Sequence, residues 1–394
     1  MENSWEEARS WDELVERCTP LATDVTLPSV AAWKAANPQR KVVGCFPVYT
    51  PQELMAAAGA LPVSLFGGRG QVEIDHADSR IQSFVCSIAR STLELGLAGH
   101  WKHVDGMVVP SICDVARNLS GVWQRNFPER FTFYLHLPQN VSAAGVAYYR
   151  GELERLRQRL AELTGALASD DALRQSIRLF NRNRALLGEL YQRRARGPEQ
   201  WPTADLYVLA GAGNVLPREE HNRLLEKALA LGETRPRPKR DSVRVVVRGA
   251  FCEQPPVELL RVLEEAGCAV VDDDLQIGSR FFLEPAPEDG EPLTSLAEAY
   301  LKRTVLTAVN TPGPRSRNEG LLATVAATAA HGVIFASPKF CEPALYDSVL
   351  LKQALEKRGT PFTEFEYEEK MTVFESIRMQ AETFVESILF FSEK

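Results

Sequence analysis

The sequence predicts an α/β protein of two similar, doubly wound parallel-sheet lobes, with a leading helical segment and a helical connection between the lobes. Three observations predict it. Short runs of β-branched and apolar residues alternate with helical stretches over residues 41–140 and again over 242–394, the pattern of strands joined by helical crossovers. From 141 to 241 the strand signals stop and leucines recur at helical spacing. The two alternating regions also share local sequence, which reads as an internal duplication.

Residues 1–40 read as helical, with Trp11, Leu14, Val15 and Cys18 on one face. Lys41–Tyr49 reads as a buried strand, and Thr50 caps a helix with Pro51 at its first position. Ala58-Gly59 ends that helix, and Val63–Phe66 is the next strand. A long helix over Arg80–Leu97 leads to a strand at Val104–Val109; a helix starts at Cys113, and Phe131–Leu137 follows as a strand. In the connection, Leu153, Leu156, Leu160 and Leu163 share one helical face. Ser169-Asp-Asp171 opens a second helix carrying Leu173, Ile177, Leu186, Leu187 and Leu190. The arginines here fall on the opposite faces and read as solvated surface. Gly232–Asp241, charged and holding two prolines, reads as a linker.

After the linker the first pattern returns. Val243–Val247 is a strand, a helix runs from Pro256 to Ala266-Gly267, and Cys268–Val271 is a strand. The first lobe has the same series, with Pro51 opening its helix and Ala58-Gly59 closing it. Later in each lobe a buried strand leads to Pro-x-x-Cys-acid: Pro110-Ser-Ile-Cys113-Asp114 and Pro338-Lys-Phe-Cys341-Glu342.

A chain of 394 residues exceeds one ordinary hydrophobic core. Its net charge of −7 argues against nucleic acid, which selects a basic face. No apolar run reaches the roughly 18–20 residues that span a bilayer. The acidic, polar opening Met1–Arg9 predicts no secretory leader, so a cytoplasmic protein is expected. Seven cysteines, an odd number in a reducing compartment, do not form a disulfide framework. They are buried hydrophobes, metal ligands or reactive thiols.

Ligands in open α/β sheets bind at the carboxyl ends of the strands. Cys113 and Cys341 lie just past such ends, where a helix start favours thiolate. If the lobes face each other, these two sulfurs can converge on one crevice. Cys86 is the best third candidate, and Cys45 and Cys252, each near the end of a first strand, compete with it. Cys18 and Cys268 read as small buried hydrophobes. Soft sulfur ligands suit zinc, Cu(I) or an iron–sulfur cluster. No close Cys-x-x-Cys pair is present, so spacing leaves the metal open.

Other motifs are weaker. There is no P-loop, and Gly211-Ala-Gly213 lacks the third glycine and preceding strand of a dinucleotide fingerprint. Gly67-Gly-Arg-Gly70 reads as a turn more readily than as a phosphate loop. His76 and His136 read as structural. Asp272-Asp-Asp274 either lines the crevice or ends a strand in solvent.

Six stretches carry a resemblance. They are Phe46–Pro51, Cys86–Leu97, Val104–Asp114 continuing into Arg117–Ser120, Phe251–Pro256, Asp272–Asp274 and Phe340–Pro343. Together they resemble the cluster-binding subunits of the 2-hydroxyacyl-CoA dehydratase and benzoyl-CoA reductase family, over nearly the whole chain. The resemblance implies that Cys86, Cys113 and Cys341 hold one [4Fe–4S] cluster per chain, one iron keeping an open or non-protein ligand. It implies a homologous cluster-binding subunit as partner. It also implies separate ATP-hydrolysing, electron-activating subunits that carry ATP and Mg and draw on reduced ferredoxin. The implied reaction, on the reductase side of the family, is anaerobic dearomatisation of benzoyl-CoA, or a related aromatic acyl-CoA, to a cyclic dienoyl-CoA. The proton donors are not identified. Two alternatives stand beside it: a 2-hydroxyacyl-CoA dehydratase subunit, and a non-catalytic, cluster-bearing electron-relay partner of a substrate-binding subunit.

Overall fold

The computed structural model describes residues 4–237, 241–275, 284–304, 306–310 and 317–392. Helices α1 (Trp11–Thr23) and α2 (Pro28–Ala35) lead into the first lobe. That lobe runs β1 (Lys41–Cys45), α3 (Gln52–Ala57), β2 (Ala60–Ser64), α4 (Ser87–Leu97), β3 (Gly106–Pro110), α5 (Asp114–Asn126) and β4 (Phe131–Leu135). Four helices follow: α6 (Ala143–Thr164), α7 (Asp170–Arg196), α8 (Thr203–Ala212) and α9 (Arg218–Glu233). The second lobe opens with β5 (Val243–Arg248), α10 (Val257–Glu265), β6 (Cys268–Asp273), α11 (Pro292–Lys302) and α12 (Arg317–Ala327). It closes with β7 (Gly332–Pro338), α13 (Glu342–Arg358), β8 (Phe362–Tyr367) and α14 (Glu375–Ser392).

Each lobe holds one four-stranded sheet, ordered β2-β1-β3-β4 and β6-β5-β7-β8, with every pairing parallel. The two orders are the same, as the repeated sequence series predicts. Helices cover the faces, so the inner strands are buried from end to end, as in Met107, Val108 and Val109 of β3. One continuous apolar core joins both lobes and the helical connection, and a smaller one lies between β7, α12 and α13. Among the described residues no helix is long and apolar enough to cross a membrane.

Several boundaries differ from expectation for physical reasons. β1 stops at Cys45; Phe46 still gives its N–H to the Val108 carbonyl of β3, after which the chain turns, Tyr49 taking φ +59°. β2 begins at Ala60, three residues early, and includes Pro62. It is an edge strand, so a missing N–H costs no ladder bond. The cap of α3 is Pro51, not Thr50. The expected long helix from Arg80 begins only at Ser87. Ahead of it, the buried Glu94 carboxylate accepts the N–H groups of His76 and Ala77, both at 2.8 Å, and holds that segment as a turn.

In the connection, Ser169 caps α7 as expected, its Oγ accepting the Ala172 N–H at 3.1 Å. Leu173, Ile177, Leu186, Leu187 and Leu190 are buried, each worth about 1.5–3 kcal/mol. Two arginines depart from the solvated reading. Arg194 is buried and paired with Asp273 at the end of β6, and Arg184 is paired with the buried Glu53. Helix α9 extends to Glu233, so the expected linker starts inside it; residues 238–240 lie outside the described ones.

Candidate metal centre

Strand β3 ends at Pro110, and after one turn Cys113 becomes the N-cap of α5. Strand β7 ends at Pro338, and after the equivalent turn Cys341 becomes the N-cap of α13. In that second turn Phe340 takes φ +63°, an unusual conformation for a side chain of its size. Cys86 is the N-cap of α4. Each of the three cysteines therefore stands where a helix begins.

All three border one cavity of about 520 Å³. It lies at the carboxyl ends of both sheets, walled by Ile112 and Cys113 of one lobe and by Phe251, Cys341 and Pro343 of the other. Three helix N-termini face it, and the positive ends of their dipoles favour negative charge there. Burial pushes the Cys341 thiol up to about 12. Cys86 is raised well above its usual value, first by burial and then by Glu253, Cys341 and Cys113, so the sulfurs lie within electrostatic reach of one another. Cys113 is raised by burial too, while the N–H groups of Ala116 and Val115 pull it down.

The donor set fits a sulfur-bridged metal cluster. The three thiols, one buried and two half-buried, are held towards the neutral form when alone, and coordination deprotonates a thiol outright. Among the described residues, no three His, Cys, Asp or Glu side chains converge closely enough to hold a single ion. A polynuclear group, which takes each thiolate on a different iron, suits sulfurs spread round a shared cavity better than one zinc ion does.

The competitors separate. Cys45 is fully buried with its sulfur 3.6 Å from Met55 Sδ, and it is not on the cavity wall. Cys252 does border the cavity. Cys18 and Cys268 are core residues. Neither histidine is on the wall: His76 Nδ1 sits 2.7 Å from Glu94, and His136 packs edge-on to Tyr134. The Gly67–Gly70 turn is already filled by this chain's own carboxylate. Glu369, from beyond β8, accepts the Arg69 and Gly70 N–H groups and lies 3.0 Å from Ser91 Oγ, which itself accepts the Gly68 N–H at 2.8 Å. The three aspartates are engaged away from the cysteines: Asp272 pairs with Arg248, Asp273 with Arg194 of α7, and Asp274 accepts the Gly249 and Ala250 N–H groups.

Sequence reasoning missed Glu253. It is 1% exposed, borders the cavity, and accepts the Ile88 N–H of α4 at 3.0 Å. The signal available was its place directly after Cys252, as Asp114 follows Cys113 and Glu342 follows Cys341.

Fold and cavity together define a duplicated α/β protein whose two lobes close on a cysteine-lined cleft. The chain belongs to the family described as 2-hydroxyglutaryl-CoA dehydratase, D-component, whose profile matches residues 47–388. It is 42% identical over 382 residues to a benzoyl-CoA reductase subunit of Thauera aromatica, covering 96% of this chain and 99% of that protein. It is 28% identical to the lactoyl-CoA dehydratase subunit beta of Anaerotignum propionicum, over 90% of this chain and 96% of the relative. Against the (R)-2-hydroxyglutaryl-CoA dehydratase subunit beta of Acidaminococcus fermentans it is 27% identical, over 91% and 95%.

Proposed function

We propose that this chain holds one [4Fe–4S] cluster through Cys86, Cys113 and Cys341, as a cytoplasmic subunit of an ATP-dependent, ferredoxin-driven benzoyl-CoA reductase. The enzyme would dearomatise benzoyl-CoA, or a close aromatic analogue, to a cyclic dienoyl-CoA. One observation carries the reading: three cysteines from remote parts of the sequence, each at a helix start, border a single cavity. The higher identity to a reductase subunit, 42% against 27–28% for the dehydratase subunits, supports a reductase over a dehydratase.

When bound, the cluster supplies one-electron chemistry of low potential. The chain's own contributions are physical. Three thiolates hold it, and the N-termini of α4, α5 and α13 offset its negative charge. Phe46, Phe84, Phe251, Phe340 and Tyr346 line the cavity and keep it apolar, which limits electron leakage to water. A homologous cluster-binding subunit stands beside this chain, and ATP-hydrolysing subunits supply the electrons.

Anaerobic purification of the full-length chain with iron and sulfide analysis tests the reading. About four irons and four sulfides per chain are expected. Zinc in their place, or neither metal, contradicts it. Titration with benzoyl-CoA, alone and with the sister subunit, then separates a substrate-binding role from electron relay; turnover of a 2-hydroxyacyl-CoA instead would move the chain to the dehydratases.

A further inference from the structure

We infer that Glu253 is a positioning residue: reaching across from the second lobe, it caps the helix that presents Cys86 and so sets the aim of that thiol. This rests on reading the cavity as the cluster site. Cys113 and Cys341 follow the duplicated Pro-x-x-Cys series, but Cys86 has no counterpart in the second lobe, and something else must fix it.

A helix start leaves N–H groups unpaired, and the N-cap side chain normally takes one of them. Cys113 does this, its sulfur accepting the Ala116 N–H at 3.5 Å. At Cys86 the sulfur makes no such cap bond, although the Ala89 N–H lies close enough to pull its thiol down. The N–H of Ile88, second residue of α4, goes to Glu253 Oε2 at 3.0 Å, across 165 positions of sequence. Glu253 thereby takes one of the N–H groups at the start of α4 and shares its capping with the Cys86 sulfur.

Glu253 is itself held firmly. Tyr367, at the end of β8, donates its hydroxyl to the Glu253 carbonyl at 2.5 Å. Gln254 Nε2 donates to the Ala250 carbonyl at 2.7 Å and closes the loop. The other carboxylate oxygen, Oε1, is buried without a hydrogen-bond partner, in a residue on the cavity wall. A buried polar atom left unpaired is costly, and its retention beside three thiols points to a role at that cavity. Because acceptor and helix belong to different lobes, Cys86 is set in place only when the lobes are docked.

The test uses full-length Glu253→Ala and Glu253→Gln, prepared anaerobically, with circular dichroism as a check of folding. The readout is the rate at which a chelator strips iron, with the electron paramagnetic resonance spectrum of the reduced protein. Glu253→Ala is expected to lose iron about 10–100-fold faster, the usual effect of removing a group that orients a metal ligand. Glu253→Gln, whose amide oxygen can still accept the Ile88 N–H, is expected to match wild type in rate and spectrum. Equal rates in wild type and Glu253→Ala overturn the inference, as does a Glu253→Gln protein that loses iron tenfold faster. The second criterion stands even where the alanine variant does not fold. A wild-type chain without iron would defeat the cluster reading instead. In that event amide exchange at the start of α4 decides: faster exchange in Glu253→Ala supports the cap, and unchanged exchange overturns it.

Discussion

The two lobes have the same strand order and place a cysteine after the same strand, yet they do not contribute equally to the cleft. The first lobe supplies two of the three proposed ligands, Cys86 and Cys113. The second supplies Cys341 and the inward-facing Glu253. They also differ in support. β4, an edge strand of the first sheet, is well covered, whereas β8, its counterpart, exposes Glu364 and Glu366. The helix after Cys341 carries Tyr346, Val349 and Leu350 exposed, and the helix after Cys113 carries no large exposed apolar side chain. Duplication thus provides the frame and one sulfur per lobe, while the third ligand and its cap come from segments where the copies diverge.

The largest expected effect separates ligands from bystanders. Alanine at Cys86, Cys113 or Cys341 is expected to abolish stable cluster retention, read as iron per chain after anaerobic gel filtration. Cys45→Ala should keep wild-type iron, since that sulfur is packed against Met55 away from the cavity. Loss of iron in Cys45→Ala, or full iron in Cys86→Ala, would break the assignment of the divergent third ligand.

Next comes the seam between the second lobe and the helical connection. Arg194 and Asp273 are both about 1% exposed in their side chains and paired. Arg194→Met leaves the aspartate buried alone, at an expected cost of about 3–5 kcal/mol in denaturant unfolding. A cost under 1 kcal/mol would mean that the seam is not held by this pair.

A matched pair of glycines compares the sheets directly. Gly106 opens β3 and Gly332 opens β7. A Cβ on Gly106 would run into the Phe131 backbone carbonyl, which cannot give way without breaking the β3–β4 pairing. On Gly332 it would meet the ring tip of Phe384 at 2.6 Å, a side chain able to move. Gly106→Ala is expected to cost about 3 kcal/mol and Gly332→Ala about 1 kcal/mol. Equal thermal shifts would show that the two strand starts are equally tight.

The smallest effect is a pH slope. Burial raises Glu264 of α10 to about 7, against the Thr203 N–H that it accepts at 2.5 Å. Unfolded, the group returns to about 4.3. Between those values the native chain holds a proton that the unfolded chain lacks, so this contribution to stability falls as pH rises and is gone above about 7. Glu264→Gln should flatten that part of the profile, measured by denaturation from pH 4 to 8. An unchanged slope would assign the titration elsewhere.

Local signals make much of this legible in advance. The run from Gly106 to Cys113 and that from Gly332 to Cys341 each carry a buried strand, a proline stop and a helix start within ten residues, so fold and ligand position are encoded together. Cys86 is harder to place. Its helix looks continuous from Arg80, but Glu94 holds the segment ahead of it as a turn, and the Ile88 N–H at its start goes to a carboxylate 165 residues away. Arg184 and Arg194 mislead for the same reason: on a helix they read as polar surface until Glu53 and Asp273 are brought to them by the fold. Cys252 ranks behind Cys86 from sequence, and the structure places both on the cavity wall.

The most direct measurement is anomalous scattering at the iron edge from crystals of the anaerobically purified full-length chain. One compact group of iron peaks is expected in the cleft, bound by the sulfurs of Cys86, Cys113 and Cys341. Zinc at that place, iron bound elsewhere, or a cluster that leaves any of those three sulfurs unbound would contradict it.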